Sequence, residues 1–167
     1  MPEVKRIGRI LDPADSSGRL AQKEFAPVAA KLGLAIVVVE PANAAEFEVA
    51  VAKLLADRID AIYAASVLAF NMRERLIELA NQKRVPIIGI TPSMADAGAL
   101  FAYVPSQADL LRRSALVVDK VLRGARPADI PVEQPTLFEL VVNLKAAKAL
   151  GITIPQSVRL QADRVIE

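Results

Sequence analysis

Apolar strand-like runs and helical stripes alternate along this chain. Arg6 to Leu11 reads as a short apolar strand, and Asp12-Pro13-Ala14-Asp15-Ser16-Ser17-Gly18 behind it is dense in turn and helix-capping residues. Ala21, Phe25, Val28, Ala29 and Leu32 then recur at i, i+4, i+7, i+8 and i+11, the face of a first helix. Gly33 ends that helix, and Pro27 inside it predicts a kink or an irregular turn. Ala35-Ile36-Val37-Val38-Val39 is β-branched without polar alternation and predicts a strand covered on both faces. Asn43-Ala44-Ala45-Glu46 has the form of a capping box, opening a second helix striped by Phe47, Val51, Leu54 and Leu55. Asp60 to Ala65 is a third strand, Met72, Leu76, Leu79 and Ala80 stripe a third helix, and Val85 to Ile90 is a fourth strand.

Such alternation demands parallel pairing and right-handed crossovers, hence an α/β fold with a doubly wound, mostly parallel sheet. The expected strand order is 2-1-3-4, with a fifth strand at Leu100 to Tyr103 beside the fourth. Ser93 to Ala97 reads as a short helical turn released by Gly98. Ser106-Gln107-Ala108-Asp109 predicts a second capping box on a helix that ends at Gly124. Pro127, Pro131 and Pro135 hold the next stretch extended, before a return strand in Phe138 to Lys145 and a short closing helix.

Composition narrows the chemistry. The 167 residues suit one domain with a proper core, and the absence of Trp makes that core aliphatic. Twenty-one basic and nineteen acidic residues give a net charge of +2, spread along helices, so no nucleic-acid partner is expected. With neither Cys nor His, thiol, imidazole and Cys/His zinc chemistry are out of reach, and no metal or cofactor is expected. The start Met1-Pro2-Glu3-Val4 lacks the basic and apolar regions of a signal peptide, and no apolar run reaches the roughly 18 residues of a membrane span. Phosphate-cradling glycine motifs are missing.

In an open parallel sheet ligands bind beyond the carboxyl ends of the strands, where the strand order reverses. That places Asp12, Ser16, Ser17 and Gly18, then Ser66 and Phe70, then Thr91 and Ser93 around one candidate crevice. Ser16, Ser17 and Gly18 open a helix, so they either hold a carboxylate at its positive end or serve only as its cap. Phe70 is either an apolar wall of the crevice or part of the core. Thr91-Pro92-Ser93 offers two hydroxyls and is also a good turn.

The run Tyr103-Val104-Pro105-Ser106, Ala108-Asp109-Leu110, Arg112-Arg113, Val118-Asp119-Lys120, Pro127-Ala128-Asp129, Pro131-Val132-Glu133-Gln134-Pro135, Phe138-Glu139-Leu140-Val141, Asn143-Leu144-Lys145 and Ala149-Leu150-Gly151 resembles the closing half of ABC transporter substrate-binding proteins, the tryptophan- and tyrosine-type periplasmic solute receptors. The resemblance implies one lobe of a type I periplasmic-binding fold: residues 1–104 as the α/β core, 105–126 as a helix beside the hinge, and 127–167 as the Pro-rich crossing, return strand and closing helix of the same lobe. It implies a hinge at Tyr103, Pro105 and Ser106, a small organic solute such as an amino acid or other carboxylate, an ABC permease as partner, a periplasmic location and no enzymatic activity. Relatives often carry an acidic or amide residue after the third strand, where this chain has Ala65-Ser66-Val67; an ammonium buried there lacks a counter-charge, which favours a carboxylate or a less charged solute. A ligand-free interaction domain and a small-molecule enzyme are the alternative readings. Without a first lobe, the arc Leu111, Ala115, Val118 and Leu122 has nothing to cover it, so a homodimer is expected.

Overall fold

The structure is a computed structural model that describes residues 4–167. Met1-Pro2-Glu3, read above for charge and hydropathy, lies outside the described residues. One seven-stranded sheet runs in the order β2-β1-β3-β4-β5-β6-β7. Its strands are β1 (Arg6–Ile10), β2 (Ala35–Val39), β3 (Ala61–Ala64), β4 (Ile87–Gly89), β5 (Phe101–Pro105), β6 (Phe138–Asn143) and β7 (Arg164–Ile166). Every pairing is parallel except β5 with β6. The helices are α1 (Ser16–Lys31), α2 (Ala44–Ala56), α3 (Val67–Asn71), α4 (Arg73–Gln82), α5 (Pro92–Ala97), α6 (Gln107–Leu122), α7 (Leu144–Leu150) and α8 (Gln156–Gln161). The order β2-β1-β3-β4-β5 is the one the alternation predicts. Among the described residues no helix is long and apolar enough to cross a membrane.

The main core lies on the α2/α4 side of the sheet, where Ile10, Phe47, Leu54, Ile62 and Leu76 are fully buried. Gly8 lets side chains of this core close on β1: a Cβ there would come within 2.7 Å of the Leu54 and Ile59 methyl groups, which would have to shift. The α2 capping box forms as its spacing predicts. Asn43 Oδ1 accepts from the Glu46 amide at 3.0 Å, while Glu46 accepts from Asn43 Nδ2 and the Ala42 amide.

Four local expectations change. β2 is not covered on both faces; it is the edge of the sheet and is half exposed, because the order reversal leaves it paired with β1 alone. α1 turns Gly18, Gln22, Phe25 and Ala29 inward, so Ala21, Val28 and Leu32 of the expected stripe face solvent. Of the two readings of Pro27, the irregular turn is excluded, since α1 continues through it to Lys31. Ser106 makes no side-chain cap; Asp109, its expected partner, is instead buried between Arg112 and Arg113, and Arg113 reaches on to Glu133 and Thr136 of the Pro-rich arm. Arginine binding competes with helix capping for the same carboxylate, and charge-assisted bonds are the stronger.

Beyond Pro105 the chain leaves the sheet as α6 and a 3-10 turn, Pro127–Asp129, then returns at Phe138 beside its point of departure. Asp109 is the only buried residue of α6; Leu111, Val118 and Leu122 are exposed. Asn143 ties the return to the sheet, its Nδ2 donating to Ala95 O and its Oδ1 accepting from Ala146 N, both at 2.8 Å.

Candidate functional site

The order reverses between β1 and β3, and the loops after β1, β3 and β4 follow three adjacent parallel strands at their carboxyl ends. The structure therefore gathers Asp12 to Gly18, Ser66 to Phe70 and Thr91 to Ser93 along one rim. Tyr103 and Pro105 follow on the next strand, β5, and Ser106 stands just beyond it at the start of α6.

After β1, Asp12 accepts from the Ala14 amide at 2.8 Å and shapes the turn. Asp15 is the N-cap of α1, accepting from the Ser17 amide at 2.9 Å and the Ser17 hydroxyl at 2.6 Å. A Cβ at Gly18 would meet the Asp15 carboxylate at 2.9 Å, so a side chain there would press on this cap. The Ser17 hydroxyl and the Gly18 amide hold the Asp15 carboxyl below its usual range. A ligand carboxylate that used Ser17 and Gly18 would have to displace Asp15. Ser16 stands exposed beside them.

After β3, Ser66 is buried and caps α3, its Oγ accepting from the Ala69 amide at 3.1 Å. Accepting that bond leaves the hydroxyl proton to donate elsewhere. Phe70 is half-buried, with the Arg73 guanidinium 5.0 Å from its ring centroid. Arg73 also donates to Phe70 O at 3.2 Å. A cation on the first turn of a helix opposes the helix dipole by about 0.3–1 kcal/mol; at the start of α4 the Arg73 guanidinium is offset by Glu74, 3.8 Å away, and rests on an aromatic support. After β4, the Thr91 and Ser93 hydroxyls lie 3.0 Å apart.

Two residues escaped the reading of the sequence. Arg73 falls between apolar stripe positions, and its place one turn after Phe70 is the signal the sequence carries. Arg9 was hidden inside a strand read as apolar. It is 2% exposed, donates to Gln22 Oε1 at 2.6 Å and lies 5.0 and 5.7 Å from the rings of Phe25 and Tyr63, which stack on each other. Burial pushes its guanidinium below the ordinary value, with Tyr63 opposing. Its Nε has no partner. This buried cation explains why Gln22 rather than Ala21 turns inward. Replacing Gln22 with Ala should cost about 1–3 kcal/mol by stranding the Arg9 donor. The double change Arg9→Met/Gln22→Leu should melt at or above the unmodified protein, because apolar side chains can replace a buried charge without loss. Thermal melting of both variants checks this, and an unchanged Gln22→Ala would refute it.

The family model described as ABC transporter substrate binding protein matches residues 1–166. The chain belongs to this family. Its fold recurs in a conserved domain protein from Vibrio cholerae, with 28% identity and a TM-score of 0.90 over 99% of this chain and 56% of that one. An ABC domain from Streptococcus pneumonia, solved in complex with L-Trp, shares 30% identity and a TM-score of 0.88 over 99% and 57%. A ligand-free, open substrate-binding protein with adhesive properties from Clostridium difficile, at 21% identity and a TM-score of 0.77, shares the fold. The chain spans little more than half the length of these proteins. Among curated proteins none matches. The ABC substrate-binding family is one of solute-binding proteins, not an enzyme family.

Proposed function

We propose that the chain is the solute-contacting lobe of an ABC importer's receptor and that it takes a small organic carboxylate on the rim after β1, β3 and β4. The observation that carries the carboxylate is Arg73, held over Phe70 at the N-terminus of α4 and paired at 3.8 Å with the exposed Glu74, while the loop between β3 and α3 brings no acidic side chain of its own. A guanidinium offers a carboxylate paired donors, and Ser66, Thr91 and Ser93 add hydroxyls around it. Phe70 supplies an apolar wall, which suits a solute with an apolar or aromatic body. The neighbour solved with L-Trp supports an amino or aromatic acid as the first class to test.

In this reading the lobe works outside the cytoplasmic membrane. A second lobe closes over the rim about the Tyr103, Pro105 and Ser106 segment, and the closed form meets a permease. The exposed face of α6 is where that second lobe lies.

Binding by one lobe alone is weak, since only part of the contact surface is present. Titration with L-tryptophan, L-tyrosine and indole-3-acetate up to millimolar concentration should raise the melting temperature saturably. Arg73→Gln should weaken the effective acid about tenfold or more, the loss of one charge-assisted bond. The absence of any saturable shift would favour a ligand-free interaction domain. A shift that Arg73→Gln leaves intact would move the carboxylate to the α1 end of the rim.

A further inference from the structure

The two edges of the sheet are built differently. β7 is three residues long and carries Arg164, with Asp163 and Glu167 on either side, the charges that keep a strand edge from pairing with another chain. β2 has five residues, Ala35-Ile36-Val37-Val38-Val39, without a charge or a proline, and its register with β1 is unbroken from end to end, so no bulge bends it away. Ala35 N donates to Lys5 O and Val39 O accepts from Leu11 N, both toward β1. Backbone groups alternate in direction along a strand, so the N–H and C=O of Ile36 and Val38 face the open edge.

Beside this edge lies a groove of about 670 Å3 between Val38 to Pro41 and the near flank of α2. That flank reads Glu46, Val49, Ala50, Lys53, and Val49 is 72% exposed. The pattern is self-complementary when reversed. If two copies of α2 lie antiparallel, Glu46 of each meets Lys53 of the other, and the apolar Val49 and Ala50 meet at the centre.

We propose that the β2 edge is an interface between two copies of this chain, in which β2 pairs antiparallel with its counterpart about Val37 and the two sheets become one. In that register Ile36 of each copy exchanges both backbone hydrogen bonds with Val38 of the other. Val37 faces its own counterpart as a non-hydrogen-bonded pair, with the Cα atoms about 4.5 Å apart. The two copies of α2 lie side by side on the same face, which brings the Glu46 and Lys53 charges together. The occupant is a second copy because both elements beside the edge are complementary to themselves. This interface is independent of any ligand on the rim.

The chain contains no cysteine, so an introduced one reports only on its own position. In the full chain, Val37→Cys should form a disulfide-linked dimer under mild oxidation, since the paired Cα separation falls within disulfide range. Ala35→Cys should cross-link far more slowly, because two copies of residue 35 would stand about 13 Å apart in this register. Lys53→Glu in the Val37→Cys background should slow cross-linking several-fold. Mixing that protein with Glu46→Lys/Val37→Cys should restore the rate for the mixed pair, a rescue that a folding defect would not give. A Val37→Cys protein that stays monomeric, or that cross-links no faster than Ala35→Cys, overturns the proposal. Dimers captured through Leu122→Cys but not through Val37→Cys would place the second copy on α6 instead.

Discussion

Phe47→Ala should lower the stability of the fold by about 3–5 kcal/mol, the largest loss expected from any single truncation in the core. Phe47 is 0% exposed and is the bulkiest of the fully buried side chains. It stands on the first turn of α2, between the capping box and the face that covers Ile10, Leu54 and Ile62. The aliphatic neighbours around it cannot collapse far, because Gly8 already lets Leu54 and Ile59 lie against the β1 backbone. At this chain length the loss corresponds to a drop in melting temperature of roughly 10 °C or more. A calorimetric scan reads it directly. A drop of only one or two degrees would mean that the site repacks and that the core is looser than its burial indicates.

Gly89→Val should damage both the fold and the rim. A Cβ at residue 89 would stand 2.7 Å from the Cβ of Met94, and Met94 is fully buried at the start of α5. The clash is with the first side-chain carbon, which no change of rotamer moves. Either β4 or α5 must shift, at a cost of about 1–3 kcal/mol. α5 begins at Pro92, so the shift carries the Thr91 and Ser93 hydroxyl pair with it. The ligand-induced rise in melting temperature should therefore shrink by more than the small loss of intrinsic stability explains. Equal ligand responses in Gly89→Val and the unmodified protein would remove Thr91 and Ser93 from the binding rim.

The parts of this fold that were legible in the sequence are those fixed by near neighbours. Asn43 and Glu46 form their box because both partners lie within one turn, and the alternation of strands and helices orders β1 to β5 because crossover handedness leaves few choices. What was not legible depends on partners far along the chain. An apolar run such as Ala35 to Val39 reads alike whether it is central or marginal; only the position of the order reversal makes β2 an edge. The spacing of Ser106 and Asp109 predicts a capping box, whereas Arg113 bridges Asp109 to Glu133 and Thr136. Arg9 takes its environment from β1, α1 and β3 together. β7 is too short to show a period.

The same limit applies to the rim. The loops that carry it follow from where strands end, so Asp12 to Gly18, Ser66 to Phe70 and Thr91 to Ser93 could be named in advance. What each side chain does there is settled by competition for hydrogen bonds. Asp15 takes the α1 terminus that Ser16 and Ser17 seemed to offer, and Arg73 gains its place only once Phe70 supports it.

The antiparallel pairing of β5 with β6 has a consequence for how the lobe is put together. Pro105 lies opposite Phe138, so the last residue of one strand and the first of the next already stand where a tight reverse turn would join them. The stretch from Ser106 to Leu137 is thus an insertion spliced into the tip of a β-hairpin, and the sheet keeps its register whatever that insertion contains. A fold arranged in this way can exchange what it carries at the tip, through changes in length and sequence, while its own core stays as it is.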